Sequence, residues 1–508
     1  MSEKNVSLNR KKYTKFNIIT SCVLQLATII IALIIPNMMI SRYGSEINGL
    51  VSWVTQMFNF FHLLEGGVSV AAAVALYRPF AEGDTEKVKG IYKAIARYYR
   101  RSGEILFVLS VISAAVFAFM FRTSEIEWYI IITVVMITGI TNSLNFLILG
   151  KFNVVCDADQ HTFVLHLFTL TAKIAVFVLQ FVFILLGLHI IIVEIPYLLM
   201  IVIRFTMTYF YIKKRYPYLL EAGEIDEIKF AQKGDALVIQ IANLVKRNAP
   251  MIVLGIFGNL TLLSIYNIYA SIFHASSSLL EMTSQSLTSN FGNLVVTEDR
   301  KSVSKVYRRA EWIMTALLSV IMCCYMKLTV PFMRVYSRGF DTNYIYATMA
   351  LLFTFAELLA NLGVLPRMVA ISSGYIKQSR NPAIIEAAAS LAIGIGGYLL
   401  WGMDGLLLGC IIGSLARTGY HIYLVSRKIL KEKLFESILI IIINAALSAG
   451  AVALASLVKI APESYGGFKG YIMWAVLALS IFGISAIIIF GGNFAAYKVF
   501  KRVGRKKN

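Results

Sequence analysis

Residues 16–40 run for 25 positions without a charged side chain, and runs of this kind recur along the whole chain. An α-helix rises about 1.5 Å per residue, so roughly 20 apolar residues cross the hydrocarbon core of a bilayer. Inside lipid every backbone N–H and C=O must find a partner within the protein, which leaves only helices and closed barrels. Barrel strands alternate apolar and polar positions over about 10 residues. These runs do not alternate. The fold class is therefore an all-α polytopic membrane protein. Composition agrees, since the 508 residues are 58% hydrophobic and only 15% charged.

Fourteen spans are expected, at 16–40, 49–77, 102–122, 127–150, 163–187, 190–212, 235–257, 260–290, 311–331, 344–371, 384–402, 405–425, 436–458 and 470–497. Lys and Arg accumulate on the cytoplasmic side of membrane helices. With the N-terminus placed in the cytoplasm, the ends and the loops after even-numbered spans hold 35 of the 48 Lys and Arg. The loops after odd-numbered spans hold six: Arg42, Arg122, Arg334, Arg338, Lys459 and Lys469. Such asymmetry supports an even count, with both termini expected in the cytoplasm. No loop is long enough for a soluble domain. The basic residues behind the net charge of +20 sit in short clusters between spans, as orientation signals do, and imply no nucleic-acid partner.

The first run is too long for a signal-peptide core and reads as a first membrane helix. The five cysteines (Cys22, Cys156, Cys323, Cys324, Cys410) form no CxxC or Cys/His spacing, so neither a disulfide framework nor a metal site is read. No GxxxxGK[ST], HExxH or GxSxG occurs, which argues against nucleotide hydrolysis or a catalytic role, and no cofactor is called for.

The chain also repeats. "SRYGSEINGLVSW" (41–53) resembles "GIFGNLTLLSIYN" (255–267) at an offset of 214, and "EGDTEKVKGIYKAIAR" faces "VTEDRKSVSKVYRRAEW" at the same spacing. Arg204 maps onto Arg417 at 213. Spans 1–6 and 7–12 then form two copies of like orientation, a parallel repeat of the kind that encloses a central cavity in transporters. The expected division is a cytoplasmic N-terminus (1–15), an N-lobe (16–215), a linker (216–234), a C-lobe (235–430), two added spans (431–497) and a basic tail (498–508).

Ionisable groups at membrane depth cost at least about 2.5–3.5 kcal/mol each and mark function by default. The cations nearest mid-span are Lys173, Arg204, Lys246, Arg247 and Arg417; the acids are Glu65, Glu194, Glu281, Glu357 and Glu386. Lys246 and Arg247 are adjacent, so they point about 100° apart on a helix and can border one wide cavity. An anion between them would relieve their repulsion, with Arg supplying a planar fork and Lys a mobile charge. The alternative is pairing with Glu65 or Glu281 that merely holds the halves together. Pro250 should loosen the helix there and free carbonyls. Lys173, alone in span 5, and Arg42, after span 1, are further anion-contact candidates. Glu65, Glu281 and Glu357 could counter a cation or bind a coupling ion. Arg204 and Arg417, as repeat equivalents, suggest a shared structural role. His62, His166 and His274 read as buried polar contacts.

Several stretches carry a family likeness: "RYGSEINGLVSW", "LLEGGVSVAAAVALYRPFAEGDTEKVKGIY", "APMIVLGIFGNLTLLSIYNIY", "FDTNYIYATMALLFTF" and "SGYIKQSRNPAIIEAAASLAIGIGGYLLWGMDGLLLG". Together with fourteen spans and two six-span copies, they resemble bacterial polysaccharide-biosynthesis (Wzx-like) flippases of the multidrug/oligosaccharidyl-lipid/polysaccharide (MOP) exporter superfamily, over about residues 15–430. The resemblance implies alternating-access flipping of a polyprenyl-diphosphate-linked oligosaccharide to the outer leaflet of a bacterial plasma membrane. It implies glycosyltransferases and a polysaccharide polymerase as partners, and leaves proton or sodium coupling open. Relatives often carry an acid about nine positions before the glycine matching Gly258. Ala249 stands there, so no coupling acid is carried onto that position. A peptidoglycan-precursor flippase and a multidrug/cation antiporter are alternatives within the superfamily. A membrane glycosyltransferase or polymerase would need a larger outer loop.

Overall fold

A computed structural model describes residues 3–61, 68–221 and 234–505. Among them are seventeen α-helices and no strand. They are α1 (Glu3–Tyr43), α2 (Ser45–Phe61), α3 (Val68–Glu82), α4 (Thr85–Met120), α5 (Trp128–Leu144), α6 (Lys151–Ala158), α7 (Thr162–Leu185), α8 (Ile190–Glu194) and α9 (Pro196–Arg215). Then follow α10 (Gly234–Phe257), α11 (Leu260–Thr297), α12 (Arg300–Tyr336), α13 (Ala347–Leu362), α14 (Val364–Ser372), α15 (Ile376–Tyr423), α16 (Phe435–Ala455) and α17 (Gly467–Arg505). The all-α polytopic expectation holds. The basic ends are helical as well, since α1 begins at Glu3 and α17 runs on to Arg505.

Eleven helical segments among the described residues are long and apolar enough to cross a membrane. One of these, Ile376–Ile429, contains two expected spans, because Gly402 takes φ +62° and ψ −140° inside α15. Only glycine enters that region cheaply, so the residue turns one helix into two. The spans expected at 49–77 and 260–290 fall on α2, α3 and α11, with residues 62–67 outside the described set.

The chain packs as two compact units. Unit 1 comprises Met1–Leu237 and Leu254–Asn267. In it α1 lies along α7, α7 along α9, and α4 along α5. The start of α11 packs closely on α2. Asn48 donates to Ser264 at 2.7 Å and Asn267 to Ser52 at 2.9 Å. A Cβ on Gly49 would fall 1.8 Å from the Leu260 carbonyl oxygen, so only glycine fits. At one end of the unit, Asp159 accepts from the Tyr216 hydroxyl (2.5 Å) and Arg215 (3.3 Å), beside His161 Nδ1 (3.0 Å). Burial pushes this carboxyl up, but these donors outweigh it and hold Asp159 below its usual range.

Unit 2 comprises Val238–Val253 and Ile268–Asn508. Here α12 packs on α16 and α17, and α13 on α15. Arg308 clamps α12 to the segment entering α16, facing Glu311 (2.7 Å), Glu432 (3.0 Å) and Glu436 (3.1 Å). Two long helices, α4 and α12, open on the same kind of cap. Asp84 caps α4 by accepting from Lys87 N, and Asp299 caps α12 by accepting from Ser302 N.

The Gly402 corner folds α15 back on itself along a glycine seam. A Cβ on Gly397 would lie 2.2 Å from the Gly405 carbonyl oxygen, and one on Gly405 would lie 1.9 Å from that of Gly397. Small residues let helix backbones touch in this way within membranes. Gly402→Ala meets no neighbour within 4 Å, so its cost is backbone strain alone. That strain is worth about 1–3 kcal/mol. The variant should melt several degrees below the parent in detergent; an unchanged melting temperature would mean that the corner relaxes freely.

Candidate functional site

The corner brings together two side chains 31 residues apart. Arg417 Nη1 lies 2.6 Å from Glu386 Oε2, with Glu386 2% and Arg417 3% exposed. Ser414 donates to Glu386 Oε1 at 2.9 Å, and Arg417 Nη1 also donates to Asn243 Oδ1 at 2.7 Å. Asn243 belongs to α10, and one turn later Lys246 Nζ reaches Glu386 Oε1 at 3.6 Å. The buried carboxylate is thus shared by two cations from α10 and α15. This arrangement is costly to desolvate, and it leaves the buried Nε and Nη2 of Arg417 without a hydrogen-bond partner among the described residues.

A second carboxylate lies close by. Glu357 on α13 sits 3.2 Å from His274 Nδ1 of α11 and accepts from Ser277 (2.5 Å) and Asn361 (3.1 Å). The Lys246 ammonium is near enough for its charge to act on both Glu357 and Glu386. In unit 2 the cations Lys246 and Arg417 are therefore balanced by two acids.

Arg247 is different. It is exposed, and it joins no ion pair among the described residues. Gln240 and Asn243, at helical spacing before it, are exposed too, whereas Asn248, Ala249 and Pro250 are buried. Most exposed mid-span positions elsewhere are apolar, such as Val178, Val202 and Ile385. A Gln240–Asn243–Arg247 stripe on a membrane-spanning helix cannot face hydrocarbon without heavy cost, so this face of α10 is wetted. Pro250 lies within α10, which continues to Phe257. The ring leaves the Lys246 carbonyl without its usual helical donor, next to the charged pair.

The remaining expected residues lie elsewhere. Lys173 on α7 donates to Thr28 Oγ1 of α1 at 2.8 Å, within unit 1. Arg204 on α9 donates to Asn145 Oδ1 at 3.2 Å, in the same unit. Arg42, at the end of α1, rests its guanidinium against Gly187 in the loop after α7. Glu65 lies outside the described residues, as does the side chain of Glu281. Among the described residues the counter-charge of Lys246 is Glu386. Arg204 and Arg417 each donate to an asparagine side chain, Asn145 and Asn243, and Arg417 also pairs with Glu386. The sequence signal that sets Glu386 apart lies in the offset comparison. At the 213 offset that links Arg204 to Arg417, Glu386 maps onto Lys173, a residue of opposite charge.

No protein-family model and no curated protein sequence matches the chain. Solved structures do. The lipid II flippase MurJ in an inward closed conformation superimposes with a TM-score of 0.63 over 92% of this chain and 99% of that one, at 15% identity. An inward-facing multidrug resistance MATE family transporter of the MOP superfamily gives a TM-score of 0.60 over 84% and 98%, at 13% identity. The chain shares the fold of these transporters. The eukaryotic MATE transporter AtDTX14 extends the likeness, with a TM-score of 0.53 over 86% and 99% at 14% identity. These neighbours are transporters and flippases rather than enzymes, and the chain shares with them the form of a multi-pass membrane protein.

Proposed function

We propose that the protein flips a polyprenyl-diphosphate-linked oligosaccharide from the inner to the outer leaflet of a bacterial plasma membrane by alternating access, without covalent change. Arg247 carries this reading. A mid-span guanidinium on a wetted helix face, with no described counter-charge, is matched by an anionic substrate. Its planar fork suits a phosphate bidentately, and the Lys246 ammonium beside it adds a second positive charge. A cationic drug would meet repulsion at the same place, which disfavours the multidrug reading despite the shared fold. MurJ, the lipid II flippase, is a structural neighbour whose named substrate is a lipid. A peptidoglycan precursor would present a diphosphate as well, so the two flippase readings differ in sugar rather than in site chemistry. The distribution of Lys and Arg supports an orientation with both termini cytoplasmic. Glycosyltransferases would supply the lipid-linked unit and a polymerase would consume it.

Depleting the protein in its host should trap undecaprenyl-diphosphate-linked repeat units on the inner leaflet, protected from a glycosidase added outside. If the units stay fully accessible from outside, the flippase reading fails and a role after translocation takes its place.

A further inference from the structure

The 213-residue correspondence exposes a difference between the two units. In unit 2 the equivalent pair is Glu386 with Arg417, joined at 2.6 Å. In unit 1 it is Lys173 with Arg204, two cations. Both lie mid-helix, on α7 and α9, which pack along each other. Both are half-buried, and the charge of Arg204 acts on Lys173. Their described partners are a hydroxyl, Thr28 Oγ1, and a side-chain carbonyl, Asn145 Oδ1. The described ion pairs of unit 1 instead join Arg78 to Glu82, Lys89 to Glu86 and Glu221, Arg100 to Glu104, and Asp159 to Arg215 and His161. Glu194 precedes Arg204 by ten residues, roughly 15 Å of helix rise.

Two like charges inside a helix bundle repel, and each would cost several kcal/mol of insertion energy unless an anion sits with them. The hydrogen-bonding geometry leaves donors for one. Lys173 spends one of three ammonium protons on Thr28, and Arg204 spends one of five guanidinium protons on Asn145. We infer that Lys173 and Arg204 form an anion site within unit 1, for a compact anion such as chloride or a phosphate group, supplying the negative charge that Glu386 supplies in unit 2. The site uses other residues than Arg247, so it stands or falls apart from the flippase reading.

The test is thermal unfolding of the purified full chain at constant ionic strength, with gluconate replaced stepwise by chloride or by inorganic phosphate. A ligand bound only by the folded state raises its melting temperature by mass action. The wild type should melt higher as the small anion increases and then saturate. Arg204→Gln should shift the half-maximal concentration about tenfold or more upward, the equivalent of one lost charge-assisted contact. Lys173→Glu should abolish the response and melt in pure gluconate at or above the wild type, because it builds the unit 2 pair into unit 1. Should that variant not fold, Lys173→Met provides the same reading through a weakened response. Undecaprenyl diphosphate added in place of the salts separates the sources. Stabilisation by that lipid alone, lost in Lys173→Glu, would assign the anion to a lipid headgroup at the same pair. A wild type whose melting is the same in gluconate, chloride, phosphate and undecaprenyl diphosphate would overturn the inference and place an internal counter-charge such as Glu65 at the pair. So would an unaltered response in Arg204→Gln and Lys173→Met.

Discussion

Glu386→Gln should be the most destabilising single change in unit 2. The substitution keeps the size of the side chain and removes one charge. It strands Arg417, which is 3% exposed, and deprives Lys246 of the carboxylate oxygen 3.6 Å away. Breaking a buried pair from one side costs about 3–5 kcal/mol, because the surviving charge stays buried without compensation. Much of that loss should return in the double variant Glu386→Gln/Arg417→Gln, in which neither charge remains. A double-mutant cycle by thermal unfolding measures the coupling. If the two single losses simply add, the ion pair contributes little, and α10 is held to α15 by packing alone.

Arg247→Ala should behave in the opposite way. Its side chain is exposed and pairs with no described carboxylate, so the melting temperature should hardly move. Export should collapse. Hydrogen bonds to charged groups are worth about 1.5–3 kcal/mol each, so losing a bidentate grip on a phosphate should slow translocation by about tenfold at the least. Surface polysaccharide should disappear while the protein remains in the membrane. Arg247→Lys keeps the charge and loses the fork, and should fall between the parent and the alanine variant. Normal polysaccharide from Arg247→Ala would remove Arg247 from the substrate path.

The spans could be read from the sequence because lipid forces the backbone to satisfy itself and sets a minimum length of apolar helix. The corner at Gly402 falls where the expected spans 384–402 and 405–425 meet, although "YLLWGMDGLLLG" is apolar on both sides and the turn rests on one positive φ. Lys246 and Arg247 were visible as an anomaly, but their different fates were not. Adjacency on a helix fixes the angle between two side chains and says nothing of which one meets a neighbour. Packing gave Lys246 to Glu386, 140 positions away, and left Arg247 on the wet stripe with Gln240 and Asn243. Glu386 is legible in the sequence through its opposite sign to Lys173 at the 213 offset. Comparing charge signs between the offset copies, rather than matching like with like, points to it and to Lys173 and Arg204, which join no ion pair among the described residues.

The most direct measurement is translocation by purified protein in proteoliposomes, using a fluorescent oligosaccharide on undecaprenyl diphosphate and a membrane-impermeant quencher. The wild type should carry label across faster than empty vesicles, and Arg247→Ala, reconstituted to the same amount, should fall to the background rate. Folded wild-type protein that moves no diphosphate-linked lipid, or that moves a cationic dye instead, would contradict an anionic lipid as the substrate.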